Sequence, residues 1–214
     1  MVKAASQALA AILDAVAAGQ FPASDGRVTI LAAPSARDSG VIAFAGHSVI
    51  FADAEPTWVA RQLPAGELGA PMSPAFLAAL GARTGRVPHA TDMLTCAPAL
   101  PGAPELELII ATDQSHPRIA RALRYRDDVL AYEAPGGVVL IGRGIAGRWE
   151  VAIEVDDAYR GRGLGRALAQ AARHMVPDGT PLWAQITPGN AASVRAFLAA
   201  GFRPVGAEAL LSPA

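Results

Sequence analysis

Apolar positions recur along this chain with two different periods. Leu9, Ile12, Leu13 and Val16 fall at helical spacing, so residues 4–18 are expected to form an amphipathic helix. Residues 27–32 and 40–52 are apolar runs of strand character, and the second is expected to fold back as a hairpin near Gly46 and His47. Residues 58–62 and 74–83 predict helices, the latter with Ser73 as N-cap and Pro74 at its first position. Downstream, residues 106–111 predict a strand. Residues 115–124 predict a helix with Ser115 as N-cap and Pro117 in the first turn. Residues 129–133 and 138–142 predict strands joined by the turn Pro135-Gly136-Gly137. Residues 148–155 predict the next strand, residues 181–186 another, and a helix begins at Asn190 and ends on Gly201 and Phe202.

Three sequential strands with short turns imply an antiparallel meander. The two strand-helix units after it imply parallel pairing. The expected fold class is therefore mixed α/β, with a mostly antiparallel central sheet flanked by helices. Pro98, Pro101 and Pro104 crowd one short stretch, which marks a boundary between an N-terminal accessory α/β segment, residues 1–100, and a C-terminal domain, residues 105–214. The N-terminal segment carries no catalytic motif. It reads as an accessory segment or as a degenerate relative of the C-terminal half, with no legible internal repeat.

Composition narrows the function classes. The chain has 214 residues, 52% of them hydrophobic, and a mean hydropathy of +0.29, which indicates a substantial core. Charged residues are 17% and the formal net charge is −1, so no global attraction to nucleic acid or to an anionic membrane is expected. No apolar run reaches the roughly 18 residues of a spanning helix, so a cytoplasmic protein with no membrane partner is expected. The single cysteine, Cys96, excludes an intrachain disulfide framework. His47, His89, His116 and His174 show no metal-ligand spacing, and no metal is implied.

The candidate chemistry lies where a strand meets a glycine-rich turn and a helix. Residues 160–165 read Arg-Gly-Arg-Gly-Leu-Gly. Amides of such a turn converge on one spot, the helix dipole adds positive potential, and glycine lets a ligand approach the backbone. Arg160, Arg162 and Arg166 add positive charge around Gly161, Gly163, Leu164, Gly165 and Ala167. Two other readings are weighed. One is a plain packing turn. The other is a dinucleotide fingerprint, but Arg166 stands where that pattern wants glycine, and the preceding strands form a meander.

Arg160, Gly163 and Gly165, followed by a helix that starts at Asn190 and closes on Gly201-Phe202, resemble the GNAT superfamily of acyl-CoA-dependent N-acetyltransferases. The resemblance is clear over residues 136–211. It implies a GNAT-like fold and acetyl-CoA as acyl donor, with no metal. It implies transfer of an acetyl or short acyl group to a primary amine on a small molecule or peptide, by direct attack in a ternary complex. By the resemblance, Ile153, Glu154 and Val155 lie on a strand end whose amides contact pantetheine, and Asn190, with Ser193 one turn on, borders the cofactor. A monomer or homodimer is expected.

Glu150 and Glu154 share one strand face by alternation and are the candidates for general base, against a reading as solvent-facing carboxylates. Phe197 stands where many family members carry a tyrosine that protonates the departing thiolate. That departure keeps alternative a catalytically silent acyl-CoA-binding or regulatory module. Arg118, Arg121, Arg124 and Arg126 form either a solvated face or a contact for the adenosine phosphate or an acidic substrate.

Overall fold

The computed structural model describes residues 2–64 and 66–213. It divides into two compact units, Met1–Leu94 with Val205–Ala214, and Thr95–Pro204. The first division lies a few residues before the proline cluster. The division falls inside a strand, Arg86–Pro98, because the chain stays extended up to the first proline.

The first unit opens with α1, Val2–Ala17, which buries Leu9, Leu13 and Val16 on one face as the periodicity requires. Strands β1 (Val28–Leu31), β2 (Gly40–Phe44) and β3 (His47–Phe51) follow, with β1 parallel to β3 and β2 antiparallel to it. The side chain of His47 bridges Asp25 Oδ1 at 2.9 Å and Thr29 Oγ1 at 2.8 Å, which ties the loop before β1 to the hairpin. Helices α2 (Pro56–Gln62) and α3 (Pro74–Thr84) cover Val41, Ile50 and Ala209. The Ser73 hydroxyl accepts from the Phe76 amide, so the expected cap is present. The last strand, β10 (Arg203–Pro213), pairs antiparallel with β2 through Ala207↔Ala43 to Leu210↔Gly40.

The second unit holds the C-terminal end of β4 (Arg86–Pro98), then β5 (Ile109–Ile110), α4 (Pro117–Tyr125), β6 (Asp127–Ala134), β7 (Gly137–Arg143), β8 (Trp149–Val155), α5 (Leu164–Ala172), β9 (Pro181–Ile186) and α6 (Ala191–Ala199). β6, β7 and β8 form the expected antiparallel meander, and β8 runs parallel to β9 across α5. The strand expected at residues 106–111 shrinks to the two residues of β5, paired to Tyr132 and Glu133. The two strand-helix units pair in parallel as expected, and the other neighbour of β9 is β4. There the Thr95 hydroxyl donates to the Ala184 carbonyl at 3.1 Å.

Helices lie on both faces of this sheet. Ile119 and Ala122 of α4 pack on Val138, Leu140 and Ala152. On the opposite face, Leu164 and Leu168 of α5 crowd Gly137, while Ile153 and Val155 face Gly165. Each strand alternates between these two layers, which decides where each candidate side chain of β8 points. Among the described residues no helix is long and apolar enough to cross a membrane.

Candidate active site

The β8–β9 ladder is short. Its pairs are Trp149↔Leu182 and Glu150↔Trp183, and from Val151 onward the two strands part. β8 remains fully paired to β7 on its other side, down to Gly137↔Val155. A wedge therefore opens along β8, and its β9-facing backbone groups have no ladder partner there.

The glycine turn lies at the open end of this wedge. Gly161 has φ +75° and Gly163 φ +87°, and no atom lies within 4 Å of where a Cβ would stand on either. Glycine is needed here for the left-handed backbone, and the space beside it is open. Gly163 is the N-cap of α5, with no side-chain cap bond and no acidic residue in the first turn. The first amides of α5 thus keep both their donors and their dipole potential available for an anion. The open turn and the uncapped amides suit an anionic phosphate group.

The arginines of the turn are less uniform than their spacing suggests. Arg160 donates Nε to the Val155 carbonyl at 3.3 Å and pairs with Asp157 at 2.7 Å. The Arg162 guanidinium stands over the Tyr159 ring, 6.0 Å from its centroid. Tyr159 itself covers Gly136, where any Cβ would overlap its ring. Arg166 is exposed on α5, whereas Leu164 and Ala167 are half-buried. Gly165 has only ordinary contacts at its Cβ position, 3.5 Å from Ala196 and 3.6 Å from Val155. Close packing therefore does not demand glycine there.

On α6, the Asn190 side chain accepts from the Ser193 amide at 3.1 Å, so the expected cap is formed. Phe197 is buried at 4% exposure and meets Phe202 edge-on at 5.0 Å. Its ring belongs to the core. The N-cap of α4 is corrected from Ser115 to His116, whose ring nitrogen accepts from the Arg118 amide, while Ser115 turns to Asp113.

Glu150 and Glu154 do share a face, the one covered by α4, but their surroundings differ. Glu154 is half-exposed and receives one bond, from Arg118 Nε at 3.0 Å. Glu150 is 4% exposed. One of its oxygens accepts from Arg148 Nε at 2.8 Å and Gln185 Nε2 at 3.1 Å, the other from Arg126 Nε at 3.0 Å. Burial alone would raise the carboxyl pKa, but the Arg148 and Arg126 guanidiniums outweigh it and hold Glu150 below the ordinary carboxylate range. A solvent-facing reading of Glu150 is thus corrected. Gly144 makes the room for it, because a Cβ there would overlap the Glu150 carboxyl group.

Arg148 and Gln185 were not singled out by sequence. The available signal was weak: Arg148 lies two residues before Glu150, and glycines recur at 142 and 144, at and just past the end of the strand beside it. Gln185 reaches the cluster only through the β8–β9 register. Among the described residues no group of His, Cys, Asp and Glu could hold a metal ion.

Comparison with known proteins places these features in a family. Residues 123–202 match the profile described as "Acetyltransferase (GNAT) family". Similar solved structures include a GCN5-related N-acetyltransferase from Kribbella flavida, 20% identical with a TM-score of 0.42 over 64% of each chain. A GNAT-family acetyltransferase from Colwellia psychrerythraea is 13% identical with a TM-score of 0.41, over 64% of this chain and 61% of that one. A tandem GNAT protein from the clavulanic acid biosynthesis pathway, solved without AcCoA, is 14% identical with a TM-score of 0.40, over 80% of this chain and 63% of that one. The matches span less than two thirds of these three structures' own lengths. No curated relative matches the sequence. Over residues 123–202, the chain therefore carries a domain of the acetyltransferase (GNAT) family.

Proposed function

We propose that this chain is an N-acetyltransferase that moves an acetyl or short acyl group from acetyl-CoA to a primary amine on a small molecule or peptide. The observation that carries this reading is the β8–β9 ladder, which stops at Glu150↔Trp183 in line with an uncapped helix start and a glycine turn. The turn amides of residues 161–165 hold the pyrophosphate, Asn190 and Ser193 border the arm, and the open edge of β8 at Ile153 and Val155 offers backbone donors. Acetyl-CoA supplies an activated thioester. As the nitrogen–carbon bond forms, the carbon–sulfur bond breaks, and backbone amides aimed at the carbonyl oxygen stabilise the charge it gains.

The attacking amine must lose a proton. Glu154 is the better acceptor of the two carboxylates, since it is half-exposed and receives one donor, whereas three donors occupy the oxygens of Glu150. Glu150 acts as a positioning charge for the arginines beside it. Phe197 supplies no proton, so the thiolate takes one from water. A cysteine-like thiol of pKa about 8.5 is already a fair leaving group.

The test is acetyl-CoA turnover over a broad panel of amines. Glu154→Gln should lower kcat by roughly 10²–10⁴-fold and flatten the basic-side rise of the pH profile. Normal rates in both Glu154→Gln and Glu150→Gln would assign the proton to water. Tight acetyl-CoA binding without turnover of any amine would make the chain a silent binding module instead.

A further inference from the structure

We infer that the first unit carries a binding site of its own, a cavity at Ser48 that takes a neutral, compact apolar molecule bearing one hydrogen-bonding oxygen. Strand alternation sets its geometry. Val28 of β1 is the register partner of Ser48 of β3, and Ile30 is the partner of Ile50, so these side chains share one face of the sheet. On that face Val28, Ile30 and Ile50 pack with Val59 of α2. Thr29 and His47 point to the other face and bond each other there at 2.8 Å.

Toward the N-terminal ends of β1 and β3 this packing leaves space. A cavity of about 350 Å³ lies between the two strands, α2 and residues 63–71, with Val28, Ile30, Val59, Leu63 and Pro71 in its apolar lining. That volume falls in the range of small-molecule sites, which starts at about 300 Å³. It equals roughly a dozen waters' share of the liquid, enough for an organic molecule of about ten non-hydrogen atoms. Leu68 stands at the rim, 59% exposed.

Ser48 is the buried polar side chain of this lining among the described residues, at 4% exposure. Its amide donates to the Arg27 carbonyl at 3.2 Å, but its hydroxyl bonds no group among the described residues. Buried hydroxyls are ordinarily paired, so this one calls for a partner from outside the chain. A water would find a single hydroxyl on an apolar floor, short of the about two to four partners that an ordered water takes. An oxygen carried on an apolar body suits both the hydroxyl and the floor. Charge narrows the class further. Arg27 and Glu67 of the lining are exposed and opposite in sign, and both ring nitrogens of His47 are taken, by Asp25 and Thr29. An ion seated at Ser48 would therefore lose its hydration without compensation.

The experiment titrates the full chain with probes built on one ring: cyclohexylmethanol, methylcyclohexane, cyclohexanecarboxylate and cyclohexylmethylammonium. Amide NMR shifts and thermal melts are the readouts. Cyclohexylmethanol should bind saturably, raise the melting temperature and shift amides of β1, β3 and α2. The carboxylate and the ammonium should bind at least about 10-fold more weakly. Ser48→Ala should weaken cyclohexylmethanol about 3- to 10-fold, the scale of one hydrogen bond, and leave methylcyclohexane unchanged. Because the hydroxyl is idle in the free chain, Ser48→Ala should melt no lower than the wild type. Ala60→Phe, at an exposed lining position of α2, fills the space and should abolish binding of both neutral probes. No saturable binding of any probe, charged probes bound as well as the alcohol, or alcohol binding that survives both variants would overturn the site. A lower melt in Ser48→Ala with unchanged alcohol affinity would make the hydroxyl structural. None of these readouts uses acetyl-CoA, so the acetyltransferase reading stands or falls separately.

Discussion

At the scale of single residues, Glu150 shows how far alternation along a strand carries. Its shared face with Glu154 was legible, since residues two apart on a strand point the same way. Its burial and its three donors were not, because Arg126 and Gln185 reach it from other elements through a register that sequence does not display. Removing this carboxylate strands two buried guanidiniums. Glu150→Ala should therefore cost about 3–5 kcal/mol in a urea titration, as expected for breaking a buried pair from one side. The same pairing sets a pH dependence. The folded pKa lies below the unfolded one, so the contribution is fully present above the ordinary glutamate pKa of about 4.3 and is lost as pH falls through the lower folded value. Thermal melts should show a steeper acid limb for the wild type than for Glu150→Gln.

At the scale of elements, the helix starts at Ser73 and Asn190 were read to the residue, the one at Ser115 missed by one, and the wedge between strands was not read at all. Ser73 and Asn190 cap as their positions suggested, since side-chain oxygens at those places answer a local need of the backbone. The parting of β8 and β9 after Glu150 has no local signature, because neither strand has a proline or glycine at that point to mark it. Phe197 illustrates the same limit. Its spacing from Asn190 allowed a place near the cofactor, yet its ring packs on Phe202. Asn190 separates its two roles by substitution. Asn190→Ala should cost about 1 kcal/mol of stability. Asn190→Asp keeps the cap and should restore stability, yet it should weaken acetyl-CoA binding if the side chain borders the cofactor. Equal acetyl-CoA affinity in wild type and Asn190→Asp would reduce Asn190 to a cap.

At the scale of the whole molecule, the proline cluster and the division into compact units lie a few residues apart. Prolines mark the end of β4, but the second unit already begins at Thr95, whose buried hydroxyl satisfies the Ala184 carbonyl of β9. A fragment of residues 105–214, cut where the prolines suggest, lacks that stretch and leaves one side of β9 uncovered. It should show no cooperative melt by circular dichroism, whereas the full chain should melt cooperatively. A well-folded 105–214 fragment would return the boundary to the prolines.

The most direct test is calorimetry of acetyl-CoA with the full chain and with Gly163→Asp. Aspartate is among the residues that tolerate left-handed backbone, and no atom lies within 4 Å of its Cβ position, so the fold should survive. The new carboxylate would stand where the pyrophosphate needs the uncapped amides of α5. Saturable binding by the full chain, abolished in a Gly163→Asp variant with an unchanged melting temperature, is the result expected. Unchanged acetyl-CoA affinity in the folded variant would contradict an acyl-CoA site at this turn.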